Sequence, residues 1–318
     1  MKDTTALRQP WLAWGWLTLV VMAALLTPTA HQSPDLQHIN EPPFHSVHWL
    51  GTTPQGLDVG LSLLQGARTV VLVSVPAALL TLLLGAALGG IAGFWGDTRL
   101  RVARWPTVAA LVAVAAAIGA LPYSSGWVSG ALGLAVLAGA WALWAPRHSP
   151  AATWPLPLDS LILGLISLLN SVPLLVLVVA VSAVQRPSLP GVVMLLGATC
   201  WPTPARLFRA ATLQSNSQPY VEAARASGIS SLRILWRHIG PNVLPVLLVR
   251  FPLTVAILLG LETTLSFLGA GLPPETPSWG RLLATVRQAP TDWWLIAGPG
   301  FAIACTLLSL HQLTTKRH

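Results

Sequence analysis

Charge is scarce in this chain. Only 9% of its 318 residues are Asp, Glu, Lys or Arg, and just 10 of them are acidic. Soluble domains carry about 25% charged residues, so a fully water-facing globular surface is excluded. Lysine is nearly absent. Lys2 and Lys316 are the only two, and neither sits in a G-x-x-x-x-G-K-[ST] loop, so the chain does not hydrolyse nucleotides by that route. The two cysteines, Cys200 and Cys305, both fall in apolar runs, which argues against a disulfide and says nothing of redox compartment. No nucleophile–base pair stands out, and no catalytic residue, cofactor or metal ligand is assigned.

What the chain has instead is apolar length: 53% of its residues are hydrophobic. Runs long enough to cross about 30 Å of hydrocarbon lie near 11–30, 68–95, 107–122, 127–145, 160–184, 190–212, 242–270 and 293–313. These give an all-α polytopic membrane protein of about eight spans. The net charge of +8 suggests a nucleic-acid partner at first sight. Basic residues scattered between apolar runs fit membrane lipid and the positive-inside bias better, and no nucleic acid is expected. Alternate loops hold thirteen and four of the 18 basic residues, with Arg250 left inside a span. The richer set, which includes Lys2, Arg225 and Arg317, is expected in the cytoplasm, with both termini.

The longest polar interruption runs from Ser217 to Pro245. Pro219 suits the first turn of a short helix, and Gly228 supplies the turn that ends it. Ser230 and Ser231 then offer caps for a second helix. By α-helical spacing Leu232, Leu235, Trp236 and Ile239 share one side of it, and Pro241 is expected to stop it. An amphipathic loop lying on lipid headgroups is the plainest account of such a pair. Glu222-Ala223-Ala224, Gly228 and then Pro241, however, resemble the EAA loop of ABC-importer permeases, with Gly240 where that family usually has Leu. The resemblance implies that the first helix seats in a cytoplasmic ATPase. Glu222, Ala223, Ala224, Gly228 and Pro241 are then the coupling residues.

Other segments carry the same likeness in the same order. His48-Trp49-Leu50-Gly51-Thr52 with Gly56, Asp58-Val59 and Gly66-Ala67-Arg68 is similar to a motif of dipeptide and oligopeptide permeases, with Leu57 in place of its arginine. Asp58 and Arg68 are expected to fix the external end of the second span. Gly85, Gly89 and Gly93 recur every four residues, a spacing that lets helices approach closely in lipid. The likeness resumes after Pro157. Asn170-Ser171-Val172-Pro173 marks a broken span, and broken helices in transporters often line the path. Glu262-Thr263-Thr264-Leu265-Ser266-Phe267-Leu268-Gly269, followed by Pro273-Pro274 and Pro277-Ser278-Trp279-Gly280, closely resembles the peptide-permease signature. Glu262, Ser266, Asn170 and Ser171 are the candidates for the translocation path or the permease–permease interface. Arg250 is expected to snorkel toward the cytoplasm.

The chain thus divides into a first span and external loop (1–66), a core span (67–97), an inserted hairpin of two spans (98–157) and a permease core (158–318) with its coupling loop at 217–245. The resemblance implies an ABC type I importer permease bundle, six family spans plus the inserted pair. It points to the second, C-type subunit of the dipeptide, oligopeptide and nickel class, in a bacterial inner membrane. It also implies a homologous permease, two cytoplasmic ABC ATPase subunits and an external substrate-binding protein as partners. The final Lys316-Arg317-His318 stands without the family's usual tail, a departure that puts that tail's contact with the ATPase in doubt. Two rivals remain. A degenerate permease paralogue serving as a non-transporting scaffold would collect departures such as Leu57 and Gly240. An ion-coupled secondary transporter would want midplane carboxylates in repeats, and only Glu262 qualifies. Finally, His31, His38, His45 and His48 crowd one external loop, but they share no helical face and prolines interrupt them, so metal is not assigned there.

Overall fold

A computed structural model describes residues 10–27, 32–45, 47–97, 101–103, 153–184 and 188–315. They form two compact units, 1–90 with 165–318 and 91–164. The helices are α1 (Pro10–Leu26), α2 (Val59–Trp95), α3 (Leu158–Asn170), α4 (Leu174–Val184), α5 (Leu189–Cys200) and α6 (Pro202–Asn216). After α7 (Pro219–Ala226), the short α8 (Ser231–Ile234) runs through a π-helical turn, Leu235–Ile239, into α9 (Gly240–Phe267). The chain then forms α10 (Trp279–Ala284), a 3-10 turn at Thr285–Arg287 and α11 (Trp294–Thr315).

Three helical stretches among the described residues are long and apolar enough to cross a membrane: α2, the continuous Ser231–Phe267 and α11. The pair α3 and α4, bent by 79° at its break, makes a fourth if it is one span. The bend falls at Pro173, which has no N–H to continue the ladder and disfavours helix before it. α1, 17 residues long, is a shorter apolar helix.

Two expected spans change shape. The second begins at Val59, well ahead of Arg68. Asp58 Oδ1 accepts the Leu61 N–H at 2.9 Å and opens the helix there. Arg68 is absorbed inside it by donating to the Thr27 carbonyl at 3.2 Å. The run at 190–212 is not one helix: it divides at Trp201 into α5 and α6. Pro202 and Pro204 remove the donors that would reach the carbonyls of Ala198 and Cys200.

The first unit's core joins α2, α4, α5, α9 and α11 through Val73, Ala77, Val178, Val192, Leu196, Leu258 and Leu310. α1 seals against α11, where the Trp16 indole N–H donates to Thr306 Oγ1 at 2.9 Å. The glycine spacing of α2 has the expected meaning at two positions. A Cβ at Gly85 would come within 2.7 Å of Pro204, and one at Gly89 would overlap the Ala205 carbonyl oxygen, so α6 packs backbone to backbone there. Leucines such as Leu72, Leu79 and Leu83 on the other face of α2 stay exposed, the lipid-facing pattern of a membrane helix.

In the second unit, β1 (Arg101–Ala103) pairs antiparallel with β2 (Thr153–Pro155), Arg101 opposite Pro155. This three-residue ribbon departs from a purely helical chain. Asp97 accepts the Ser160 N–H at 2.9 Å and its hydroxyl at 2.6 Å. Most of the insertion expected at 98–157, including its two spans, lies outside the described residues.

Candidate functional site

The 217–245 loop forms as local chemistry requires up to its middle. Pro219 occupies the first turn of α7. Gly228, at φ +75°, closes the helix in a Schellman turn. The Ile229 N–H reaches the Ala224 carbonyl at 3.1 Å and the Gly228 N–H reaches that of Arg225 at 2.9 Å. Val221 and Ala224 are buried, while Glu222 and Ala223 face outward. Glu222 and Ala223 therefore form a small, flat, acidic step, with Ala224 holding it to the protein. Two side-chain bonds fasten α7: Arg225 donates to Asn216 Oδ1, and Asn242 Nδ2 donates to the Tyr220 hydroxyl at 2.7 Å.

Beyond Ser230 the expectation fails in an informative way. Ser230 sits at the N-cap with extended backbone, but its side chain makes no capping hydrogen bond. Pro241 does not stop the helix. It lies in the first turn of α9, and the chain is helical from Ser231 to Phe267. The π-helical turn explains how. Its wider ring accommodates a proline that can supply no donor to the preceding turn. It also changes which side chains share a face. Ile234 and Ile239, five residues apart, are both 1% exposed, whereas Leu232 is 60% and Trp236 78% exposed. Of the side expected from α-helical spacing, Ile239 is buried and Leu235 half-buried, while Leu232 and Trp236 are exposed. The wider i→i+5 turn accounts for this, because it sets Ile234 beside Ile239 on the buried side.

At the far end of this helix, Glu262 and Ser266 are both buried and bonded to each other, the hydroxyl donating to Glu262 Oε1 at 2.7 Å. Glu262 Oε2 is buried without a hydrogen-bond partner among the described residues, and the Arg281 guanidinium is the positive charge near it. Arg281 counts among the four basic residues of the charge-poor set of loops. Here it ties down the proline-rich turn, donating to the carbonyls of Leu272 at 3.1 Å, Pro273 at 2.6 Å and Thr276 at 3.3 Å, and to that of Pro274. Trp279 is buried in the same corner, its indole N–H on the Leu63 carbonyl at 2.8 Å. A Cβ at Gly280 would overlap the Thr263 carbonyl oxygen, and one at Gly66 would overlap the Trp279 indole. A cleft of about 710 Å³ opens beside this turn, bordered by Gln65, Thr69, Ser278 and Arg281.

Asn170 and Ser171 lie elsewhere, at the break between α3 and α4, and both are exposed. The Ser171 hydroxyl donates to the Leu168 carbonyl at 2.6 Å. Asn170 borders a second cavity, of about 210 Å³, with Thr81, Thr199, Arg250 and Thr254. Arg250 therefore lines a cavity. Its Nε is buried and meets no acceptor among the described residues. The four candidates thus form two pairs, Glu262 with Ser266 and Asn170 with Ser171, and neither cavity is lined by members of both.

The loop ahead of α2 brings together residues that the sequence left apart. His38 Nδ1–H donates to Asp35 Oδ2 at 2.8 Å, and His48 Nδ1–H donates to Asp58 Oδ2 at 2.7 Å. The hydrogen bond from His38 is the main reason the Asp35 carboxyl falls to about 2, while the bond to Asp58 leads in raising His48. His45 turns away to the Pro43 carbonyl at 3.0 Å. His31 lies outside the described residues.

Known proteins are similar to this chain in sequence. A dipeptide transport system permease protein, DppC, of Bacillus subtilis is 27% identical over 304 residues, 93% of this chain and 76% of that protein. A Brucella suis protein named as a peptide transport system permease is 38% identical over 164 residues, 51% of this chain and 55% of its own. The di/tripeptide permease DppC of Pseudomonas aeruginosa is 32% identical over 154 residues, 48% and 51% of the two chains. The chain spans about half the length of the Brucella and Pseudomonas relatives it matches. Residues 150–314, just over half of the chain, match the family described as binding-protein-dependent transport system inner membrane component. This stretch holds the Glu222 step, the continuous helix and the Glu262 corner, and the chain is a multi-pass membrane protein that belongs to that family.

Proposed function

We propose that the chain is a transmembrane permease subunit of an ATP-driven ABC importer, of the C type, for dipeptides, oligopeptides or related small solutes. The observation that carries this reading is one continuous helix, Ser231–Phe267, with the Glu222 step hinged to its start at Gly228 and Glu262 buried near its end. A push on α7 then passes through the short Gly228 turn and along a hydrogen-bonded rod. The names of the relatives support peptides as the substrate class.

In this reading a homologous permease completes the bundle. Two cytoplasmic ATPases engage Glu222, Ala223 and the Gly228 turn, and an external binding protein delivers substrate. ATP hydrolysis belongs to the ATPase subunits. The chain crosses the inner membrane about eight times, counting the pair at 98–157, with both termini and the Glu222 loop in the cytoplasm. The cavity bordered by Asn170 and Arg250 lies on the path, where an arginine with a buried, unsatisfied Nε can meet a peptide carboxylate. Glu262 and Ser266 brace the external turn against which the two permeases meet. Neither a scaffold nor an ion-coupled carrier requires a step hinged to a transmembrane rod.

The test is ATPase activity of the reconstituted complex with its ATPases and binding protein. Wild type should show hydrolysis stimulated by the binding protein, and Glu222→Ala and Gly228→Val should lose most of that stimulation. If no ATPase associates with the chain, or both variants match wild type, the importer reading is wrong.

A further inference from the structure

We infer that Asp35, His38 and His48 form a binding site for a divalent transition-metal ion of the zinc or nickel type, on the loop that precedes α2. Each offers one ligand atom, and these atoms lie within 4.8 Å of one another. His38 Nδ1 is 2.8 Å and His48 Nε2 is 3.5 Å from the same oxygen, Asp35 Oδ2. A tetrahedral ion with bonds of about 2.0–2.1 Å sets its ligand atoms roughly 3.3 Å apart. The two legs to Asp35 Oδ2 lie close to that spacing. The third, between the two histidine nitrogens, is within 4.8 Å and closes by rotation of the partly exposed His38 ring.

The direction of the histidine matters more than the distances. Asp58 accepts the Nδ1–H of His48, and the helix start fixes Asp58 in turn through the Leu61 N–H. A carboxylate holding one ring nitrogen of a histidine leaves the other as an oriented, electron-rich ligand. In His48 that other nitrogen, Nε2, is aimed at the Asp35 carboxylate. With the proton on Nδ1, two lone pairs face each other, and a cation between them removes the repulsion. His38 supplies the third ligand from Nδ1 in the tautomer that carries its proton on Nε2.

The backbone beneath the site is already fixed. The Asp35 N–H bonds to the Gly56 carbonyl at 2.8 Å, and the Thr52 hydroxyl donates to the His38 carbonyl at 2.7 Å. Gly56, at φ +74°, lies so close that a Cβ would overlap the Asp35 carbonyl oxygen. Two imidazoles and one carboxylate select borderline metals over calcium or magnesium, which prefer all-oxygen shells. The ligand side chains are 20–37% exposed, so water can complete the shell. Bound metal would staple the loop to the first turn of α2, beside Leu57 at the edge of the larger cleft.

Zinc titration of the full chain, made without a histidine tag, stripped by chelator and held in lipid nanodiscs, tests this. Wild type should bind one zinc per chain. His38→Ala and Asp35→Ala should abolish that binding, and Asp58→Asn should weaken it roughly 10–100-fold. His45→Ala should leave it unchanged. Zinc-edge X-ray absorption of wild type gives a reading free of folding effects in the variants, and two imidazoles in the shell are expected. Absence of stoichiometric zinc, binding undiminished in His38→Ala, or a shell without two imidazoles overturns the proposal.

Discussion

The two ends of the long helix are built on opposite plans. At the Glu262 end side chains turn inward: Glu262, Ser266 and Trp279 are buried, Gly66 and Gly280 allow close packing, and one arginine fastens four carbonyls. At the Glu222 end one face of a two-turn helix is buried and the other is bare, and Leu232 and Trp236 add exposed apolar surface. The first end is held by contacts within the chain; the second leaves a face bare. A device that converts a partner's motion into membrane rearrangement needs this asymmetry. One end must be fixed and the other available.

Substitutions should fall on the two ends in different currencies, and the sharpest break comes from the fixed end. Gly280→Val forces a side chain into the Thr263 carbonyl and should cost about 3 kcal/mol, seen as a large drop in the thermal transition of the purified chain. Arg281→Ala should cost about 2 kcal/mol, since its hydrogen bonds are charge-assisted. Arg281→Lys should recover little, because an ammonium lacks the guanidinium fork. A Lys variant as stable as wild type would show that charge alone suffices there. At the available end, Gly228→Ala meets open space and pays only for its left-handed backbone, about 1–2 kcal/mol. Glu222→Ala should shift stability by less than about 0.5 kcal/mol while removing ATPase stimulation in the complex. Were Glu222→Ala to destabilise the chain as much as Arg281→Ala, the contrast between the ends would collapse.

The sequence was most legible where a single residue dictates its own backbone. Pro219 and Gly228 are such residues, and the first helix and its turn lie where their chemistry puts them. Asp58 likewise marks the first turn of α2. Reading failed where the outcome depends on a neighbour. Pro241 was expected to end a helix because a proline breaks an α ladder, yet a π turn just before it lets the helix pass. Arg68 looked like the edge of a span until the Thr27 carbonyl took up its charge. The pairing of His38 with His48 across a shared aspartate has no periodic signature, since loop closure brings them together. Arg250 and Arg281 were legible as charges but not as a cavity wall and a clamp.

The π turn at Leu235–Ile239 carries one residue more than an α turn would hold. Each residue of an α-helix turns the chain by about 100°. The wider π turn turns it by less per residue, so its five residues sweep about the angle that four α-helical residues would. Deleting one residue from this turn would therefore leave a regular helix with the Glu222 step facing nearly the same way, and Pro241 would then stand in an α ladder that it cannot complete. Deleting one residue elsewhere in the helix would swing the step by roughly 100°. The π turn is thus a place where the residue count of the rod can change without redirecting the face that carries the EAA-like motif.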